Sequence, residues 1–284
     1  MPSIRLIWRT TFAALLLFFS LIDPSHAEAL PRPDHVVVVI EENHSYSQIM
    51  DKRNSASWIH ALARRGALFS ASYGVTHPSQ PNYLALFSGS TQDVTNDACP
   101  RRFENSNLAS ALLGHGLSFA TYSESLPVTG DLSCSSHAYY RKHNPASNWQ
   151  GSILPSDINK RFVDFPTDYS KLPTIAFVIP NQDNDMHDGS FETADRWLKQ
   201  HIEPYLEWAY QHNSLLILTW DEDDYGGDNR ITTILAGPMV RAGVSSQRIN
   251  HYNVLRTLLD FYGLPALGAS STAGAIQGIW IKSH

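Results

Sequence analysis

Short apolar runs recur along the chain, and several are followed directly by clusters of polar side chains. The runs 35–40 and 214–220 are continuous and rich in aliphatic residues, which is typical of strands buried on both faces. The other runs of strand length also predict strands. They cover 67–73, 117–122, 174–179 and 231–235.

Between these runs, apolar residues recur on one face of segments that predict helices. The predicted helices cover 55–65 with Asn54 as cap, 83–87, 107–113, 193–211 with a kink at Pro204, and 252–261. The polar, aromatic region 127–168 is expected to be an ordered insertion. Because strands and helices alternate, we expect an α/β fold with a mostly parallel central sheet flanked by helices.

The N-terminus has the pattern of a secretory signal. Arg5 and Arg9 precede a twelve-residue apolar run that ends at Ile22, and small residues follow up to Ala27. This run is shorter than the roughly 20 residues that span a bilayer. We expect cleavage after Ala27, export to the periplasm or medium, and one domain over 28–284, with an uncleaved anchor as the alternative.

Net charge and hydropathy narrow the range of expected partners, and the two cysteines predict a disulfide. The net charge of −6 makes the chain a poor general binder of polyanions, so nucleic acid is not an expected partner. No other apolar stretch approaches membrane length, so no stable membrane association is expected either. Cys99 and Cys134 lie in polar sequence outside any C-x-x-C spacing, and in an exported protein such a pair predicts a disulfide.

Polar clusters follow four of the predicted strands. They cover 41–44, 76–83, 181–189 and 221–228. Each alone could be an ordinary polar loop, but in α/β sheets ligand sites form beyond the carboxyl ends of strands. Together they supply oxygen ligands for a divalent cation, a hydroxyl nucleophile, and His or Asn groups for a leaving oxygen.

Six short motifs within these clusters and the insertion occur in a fixed order. They read V-V-I-E-E-N-H, T-H-P-S-Q-P-N-Y, Y-S-E-S-L-P, R-K-H-N-P, N-D-M-H-D-G and W-D-E. With this ordered set the chain resembles the bacterial phosphoesterase family of secreted acid phosphatases and phospholipases C, within the alkaline-phosphatase-like superfamily. The resemblance implies that superfamily's fold and the hydrolysis of phosphate esters.

The resemblance also implies a metal site and a nucleophile. The implied metal ligands are Glu42, Asn43, Ser79, Asp221 and Glu222. Ser79 would attack phosphorus and form a phosphoserine, because a metal acidifies a hydroxyl that it binds. Thr76 is a rival hydroxyl, and Glu41 could replace Glu42, although strand alternation lets only one of the two point at the site. Asp223, Asp224 and Asp228 are interpreted as loop structure, support for the ligands, or a weak second site.

Further residues are implied to act on the substrate. Asn82 would donate to a phosphate oxygen, or else cap a helix. His187, oriented by Asp188, would protonate the leaving oxygen. His143 and Asn144 would reach the phosphate. His251 is a substrate or metal contact, a support for the ligands, or a helix cap.

The leading hypothesis is a secreted, metal-dependent phosphomonoesterase, an acid phosphatase acting on small phosphate esters. A phosphodiesterase of phospholipase C type is the alternative, and an exported metal- or phosphate-binding protein without catalysis is the third. Many phospholipase-like members have His-Gly-Gly after Asp-Glu, whereas this chain has Asp223 and Asp224, which favours the monoesterase. The ligand types fit zinc, calcium, magnesium or manganese, and neither the number of ions nor the oligomeric state is predicted.

Overall fold

The computed structural model describes residues 30–51 and 56–281, so the predicted signal peptide and the Asn54 cap lie outside the described residues. The strands are β1 (His35–Glu41), β2 (Ala67–Tyr73), β3 (Phe119–Ser123), β4 (Ser135–Ser136), β5 (Tyr139–Tyr140), β6 (Asn159–Arg161), β7 (Ile175–Ile179), β8 (Ser214–Trp220), β9 (Arg230–Ala236), β10 (Gly243–Ser245) and β11 (Ile249–Asn250). The helices are α1 (Tyr46–Asp51), α2 (Ser57–Arg65), α3 (Ser79–Ser88), α4 (Leu108–Gly114), α5 (Phe191–His201), α6 (Glu203–Ala209) and α7 (His251–Phe261).

One large sheet runs through the molecule in the order β10-β2-β9-β8-β1-β7-β3-β6, and β11 also pairs with β2. The pairs are parallel except those of β9, which runs antiparallel to β2 and β8. The predicted α/β fold with a mostly parallel sheet is therefore confirmed. The strands β8, β1 and β7 are parallel neighbours, so their carboxyl ends lie side by side.

Helices cover both faces of this sheet. Val36, Val38 and Ile40 of β1 pack in a core with α3, α4 and α7, while Val37 and Val39 pack in a second core with α2, α5 and α6. This double burial explains the continuous apolar run, because neither face of β1 meets water. Strand alternation also sets the direction of the residues that follow. Glu42 points to the same face as Ile40, toward α3, and Glu41 points to the same face as Val39.

Near two prolines, the observed helices differ from the predicted ones. The third helix begins at Ser79 rather than after Pro81, because a proline in the first turn has no hydrogen bond to lose. The predicted helix over 193–211 is two helices that meet at Ile202, and Pro204 lies in the first turn of the second rather than kinking the first. The first of them begins earlier than predicted, where the Ser190 side chain accepts from the Thr193 N–H.

The insertion between β3 and β7 is ordered, as predicted, and consists of short strands and single helical turns. Cys99 and Cys134 form the expected disulfide, with their Cα atoms 5.7 Å apart. The buried Arg141 guanidinium donates to the carbonyl oxygens of Leu132, Arg101 and Ser147, so it joins the two segments that the disulfide connects. Among the described helices none is long and apolar enough to cross a membrane.

Candidate active site

Ser79 is the first residue of α3 and is 1% exposed. Its Oγ lies 3.0 Å from Glu42 Oε2, 3.4 Å from Asn43 Oδ1 and 3.4 Å from Glu222 Oε1. The sheet edge and the helix start thus bring together residues 37 and 143 positions apart in sequence. Three of the other four residues implied as metal ligands meet around this hydroxyl.

The remaining oxygen of each glutamate is held by neighbouring donors. Glu42 Oε1 accepts from the Tyr83 hydroxyl and lies 3.2 Å from His143 Nε2. Glu222 Oε2 lies 2.9 Å from His77 Nδ1 and accepts from the Asn82 amide at 3.2 Å. Each carboxylate therefore has one oxygen fixed from behind and one directed at Ser79.

Asp221, at the end of β8, is the fifth implied ligand. Its Oδ1 accepts from the backbone N–H groups of Asn43 at 3.2 Å and Glu222 at 2.6 Å. Its Oδ2 is buried and has no hydrogen-bond partner among the described residues. A buried carboxylate oxygen without a partner is costly, and coordination to a cation would satisfy it.

The side-chain oxygen of Asn43 points at carboxylate oxygens, which are acceptors like itself. Its Oδ1 position lies 3.2 Å from Glu42 Oε2 and 3.1 Å from Glu222 Oε1, and a rotated amide would donate to both. A cation bound among these oxygens would remove this conflict without any rotation of the amide. Asn43 itself has φ of 45°, a left-handed conformation that Asn tolerates better than most residues.

Burial and crowding perturb these carboxyl groups strongly. Burial, and then the neighbouring carboxylates, raise the pKa of Glu42 and Asp221 well above their ordinary values. The same two causes raise the pKa of Glu222 to about 9. Several acids packed in one dry site need positive charge, and the donor set fits a divalent cation.

A second group of donors shares Glu42. Glu42, His143 and Asp185 each offer a ligand atom, and these atoms lie within 4.8 Å of one another, so the group could hold a metal ion. His143 Nε2 faces Glu42 and its Nδ1 lies 3.4 Å from Asp185 Oδ2. Burial lowers the pKa of His143 well below its ordinary value, which keeps the imidazole neutral, the state in which it can ligate metal. The resemblance implied a substrate contact for His143 and gave no role to Asp185, although Asp185 lies inside N-D-M-H-D-G.

His187 and Asp188 form the expected pair, with Nδ1 2.7 Å from Asp188 Oδ1. The His187 ring centroid lies 6.0 Å from that of His143, and the side chain is 25% exposed. It therefore sits beside the buried donor group with access to solvent. That position fits a proton donor to a departing group.

Asn82 and His251 bond to residues of the site, whereas Asn144 bonds within the insertion. Asn82 Oδ1 accepts from the N–H groups of Val75 and Thr76, and its amide donates to Thr76 O, Pro78 O and Glu222, so it holds the turn before Ser79. His251 Nε2 lies 2.6 Å from the backbone oxygen of Asp221, and the cap of α7 is Asn250. The Asn144 amide donates to Asn159 and Tyr139 within the insertion.

The last acids of the run bond within or beside their own loop. Asp223 accepts from the N–H groups of Tyr225 and Asn229 and so closes its own loop, while Asp224 accepts from Gln48. Both carboxylate oxygens of Glu41 are buried on the opposite face from Ser79 with no partner among the described residues, so Glu42 is the residue that points at the site.

Comparison with known proteins identifies the family of this chain. Residues 51–265 match the model of the Phosphoesterase family. The chain belongs to this family. It is 46% identical over 257 residues to a phosphatidylinositol-3-phosphatase of Mycobacterium tuberculosis, covering 89% of this chain and 85% of that protein. Family membership and phosphatase relatives together identify a hydrolase of phosphate esters.

Two further comparisons concern longer or more distant proteins. A probable acid phosphatase of Kluyveromyces lactis is 32% identical over 251 residues, which are 81% of this chain and 58% of that protein. A solved structure from Vibrio parahaemolyticus, a protein in the alkaline phosphatase superfamily, matches with a TM-score of 0.61 at 11% identity. This match covers 89% of this chain and 75% of that one, so the family member has the alkaline-phosphatase-like fold.

Proposed function

We propose that this phosphoesterase is an exported, metal-dependent phosphomonoesterase that hydrolyses small phosphate esters through a phosphoserine on Ser79. One observation carries the proposal. The Ser79 hydroxyl lies at a helix start, within 3.4 Å of oxygen atoms of Glu42, Asn43 and Glu222. This is an environment in which a hydroxyl can become a nucleophile, because a cation held by these oxygens and the helix N–H dipoles would both favour negative charge there.

Glu42, Asn43, Ser79, Asp221 and Glu222 are the residues that would hold the metal. A bound divalent cation lowers the pKa of a nearby hydroxyl and stabilises charge on phosphoryl oxygens. The oxygen-rich set suits magnesium, manganese or calcium, whereas a donor set with His143 would suit zinc better.

The chain's own groups supply the rest of the reaction. Ser79 Oγ forms a bond to phosphorus while the bond to the leaving oxygen breaks, and the hydroxyl proton has Glu42 Oε2 as an acceptor at 3.0 Å. His187, oriented by Asp188, gives a proton to the leaving oxygen. Water then cleaves the phosphoserine, which releases phosphate and restores the Ser79 hydroxyl.

Monoesters are the preferred substrate class because the relatives reported above carry phosphatase names. The Mycobacterium tuberculosis relative is named for the 3-phosphate of phosphatidylinositol. A short-chain phosphatidylinositol 3-phosphate is therefore a useful test substrate beside p-nitrophenyl phosphate. The diesterase alternative is tested with p-nitrophenyl phosphorylcholine.

The test combines activity, metal content and trapping of the intermediate. We expect purified protein to contain a divalent metal, to lose activity with a chelator, and to hydrolyse the monoesters faster than the diester. Acid quenching followed by mass spectrometry should find phosphate on the peptide that contains Ser79. Ser79→Ala should keep the metal and lose turnover, and Thr76→Ala should keep both. A faster diester reaction, full activity without metal, or phosphate on Thr76 would each contradict the proposal, and metal binding without any turnover would favour the binding protein.

A further inference from the structure

Lys142 is a cation at the candidate site to which neither the sequence motifs nor the proposed mechanism gives a role. Its side chain is only 14% exposed, and its Nζ lies 3.1 Å from Asp97 Oδ2 and 3.5 Å from His187 Nε2. A lysine side chain has many rotamers, and the Asp97 contact restricts the ammonium to one place. That place is beside the proposed proton donor.

Asp97 connects this ammonium to the helix that carries the nucleophile. Its Oδ1 accepts from the backbone N–H of Gln80 at 2.9 Å, while its Oδ2 binds Lys142. Gln80 directly follows Ser79 in the first turn of α3. A single carboxylate therefore fixes the ammonium relative to the hydroxyl, although Asp97 and Lys142 are 45 residues apart.

The site needs a positive group because carboxylates surround it. Burial raises the pKa of Glu42, Glu222 and Asp185, and the positive charge of Lys142 acts to lower it. The field of Lys142 therefore reaches all three residues. An ammonium has three N–H donors, and Asp97 accepts from one of them. His187 Nε2, which carries the proton in the proposed mechanism, lies 3.5 Å away as a second donor, so the other ammonium N–H groups are available to an acceptor on a ligand beside His187.

We propose that Lys142 binds a non-bridging phosphoryl oxygen of the substrate and that Asp97 positions it for this contact. The contact makes the site select phosphate monoesters over diesters, because a monoester carries a second negative charge that a diester lacks. This assignment rests on the proposed function and names the residue that gives its substrate preference.

The activity test compares two esters with the same leaving group, p-nitrophenyl phosphate and bis(p-nitrophenyl) phosphate. We expect Lys142→Met to lower kcat/KM for the monoester about 10- to 100-fold, the size expected for one charge-assisted hydrogen bond, and to affect the diester much less. Lys142→Arg should recover part of the loss. Lys171→Met, at an exposed lysine paired with Asp168, is the matched control and should leave both reactions unchanged. Equal losses for the two esters would overturn the assignment.

A direct binding measurement separates this inference from the proposed function. Inorganic phosphate is titrated into the metal-loaded wild type and the Lys142→Met variant, with the metal content of both measured. We expect weaker phosphate binding in the variant at unchanged metal content. If the wild type hydrolyses neither ester, the proposed function fails, but the phosphate titration still tests Lys142. Equal phosphate affinity in the two proteins would overturn the assignment whatever the activity.

The positioning role of Asp97 is tested by a double-mutant cycle. Asp97→Asn keeps an acceptor for Gln80 but removes the charge that holds the ammonium. If Asp97 acts through Lys142, this substitution changes monoester kcat/KM in the wild type and has little further effect in the Lys142→Met background. The same effect in both backgrounds would show that Asp97 acts on α3 alone and would refute its positioning role.

Discussion

His251 Nε2 lies 2.6 Å from the backbone carbonyl oxygen of Asp221, so the first residue of α7 holds the end of β8. Burial lowers the pKa of His251 to about 4. The imidazole is therefore neutral in the folded protein at mildly acidic pH and can donate to the carbonyl. This contact fixes the backbone from which Asp221 and Glu222 project toward Ser79.

Acid should destabilise the protein through this histidine. An unfolded chain protonates His251 near its ordinary pKa of about 6.5, whereas the folded protein resists protonation until about pH 4. Stability from this group is present above pH 6.5 and is lost as the pH falls toward 4, by at most roughly 3 kcal/mol.

Urea unfolding of the wild type and His251→Gln at pH 7 and pH 4.5 checks this prediction. Glutamine can donate to the Asp221 carbonyl but does not titrate. Both proteins are freed of metal first, because metal affinity itself depends on pH. We expect the free energy of unfolding to fall more with acid in the wild type, and parallel losses would contradict the assignment.

Substitutions of Asp221 and Asp224, two acidic residues of one loop, should differ sharply in their effect on metal binding and activity. Asp221 is buried with an unpartnered oxygen at the candidate metal site, whereas Asp224 is exposed and accepts from Gln48. We therefore expect Asp221→Ala to abolish metal binding and activity, and Asp224→Ala to keep most of both. Elemental analysis and monoester turnover measure the pair. Equal losses would mean that the division between ligands and loop residues is drawn in the wrong place.

The two donor groups that share Glu42 can be told apart by removing one member of each. Glu222→Gln changes the oxygens around Ser79, and Asp185→Asn changes the partner of His143 Nδ1. If the ion lies among the oxygens, Glu222→Gln should weaken metal affinity at least 10-fold and Asp185→Asn should do so much less. Isothermal titration of metal into the two variants measures the difference, and the reverse order would place the ion on His143.

Strand pattern predicted the parallel sheet because it depends on local regularity, and the ordered motifs carried the resemblance that implied Glu42 and Ser79 at one site. The alternation of β1 put Glu41 and Glu42 on opposite faces without deciding between them, and the resemblance favoured Glu42. Asp97 and Lys142 could not be found in this way. Asp97 lies in a loop before β3 and Lys142 lies within the insertion, and only the tertiary fold brings their charges within 3.1 Å. The boundaries at Pro81 and Pro204 were wrong for a related reason, since proline is tolerated in a first helical turn as well as before it.

The disulfide should stabilise the protein by constraining the unfolded chain. Cys99 and Cys134 are 35 residues apart, and closing a loop of this size is worth about 3–4 kcal/mol in the chain-entropy model. We expect the paired substitution Cys99→Ser with Cys134→Ser to lower the free energy of unfolding by this amount, measured by urea denaturation without reductant. A reducing agent should lower wild-type stability equally and leave the variant unchanged.

Loss of the disulfide should also loosen the segments that carry Asp97 and Lys142, so monoester KM should rise before the protein unfolds. A variant as stable as the wild type, with the same KM, would show that Arg141 and its carbonyl partners hold the insertion without the disulfide.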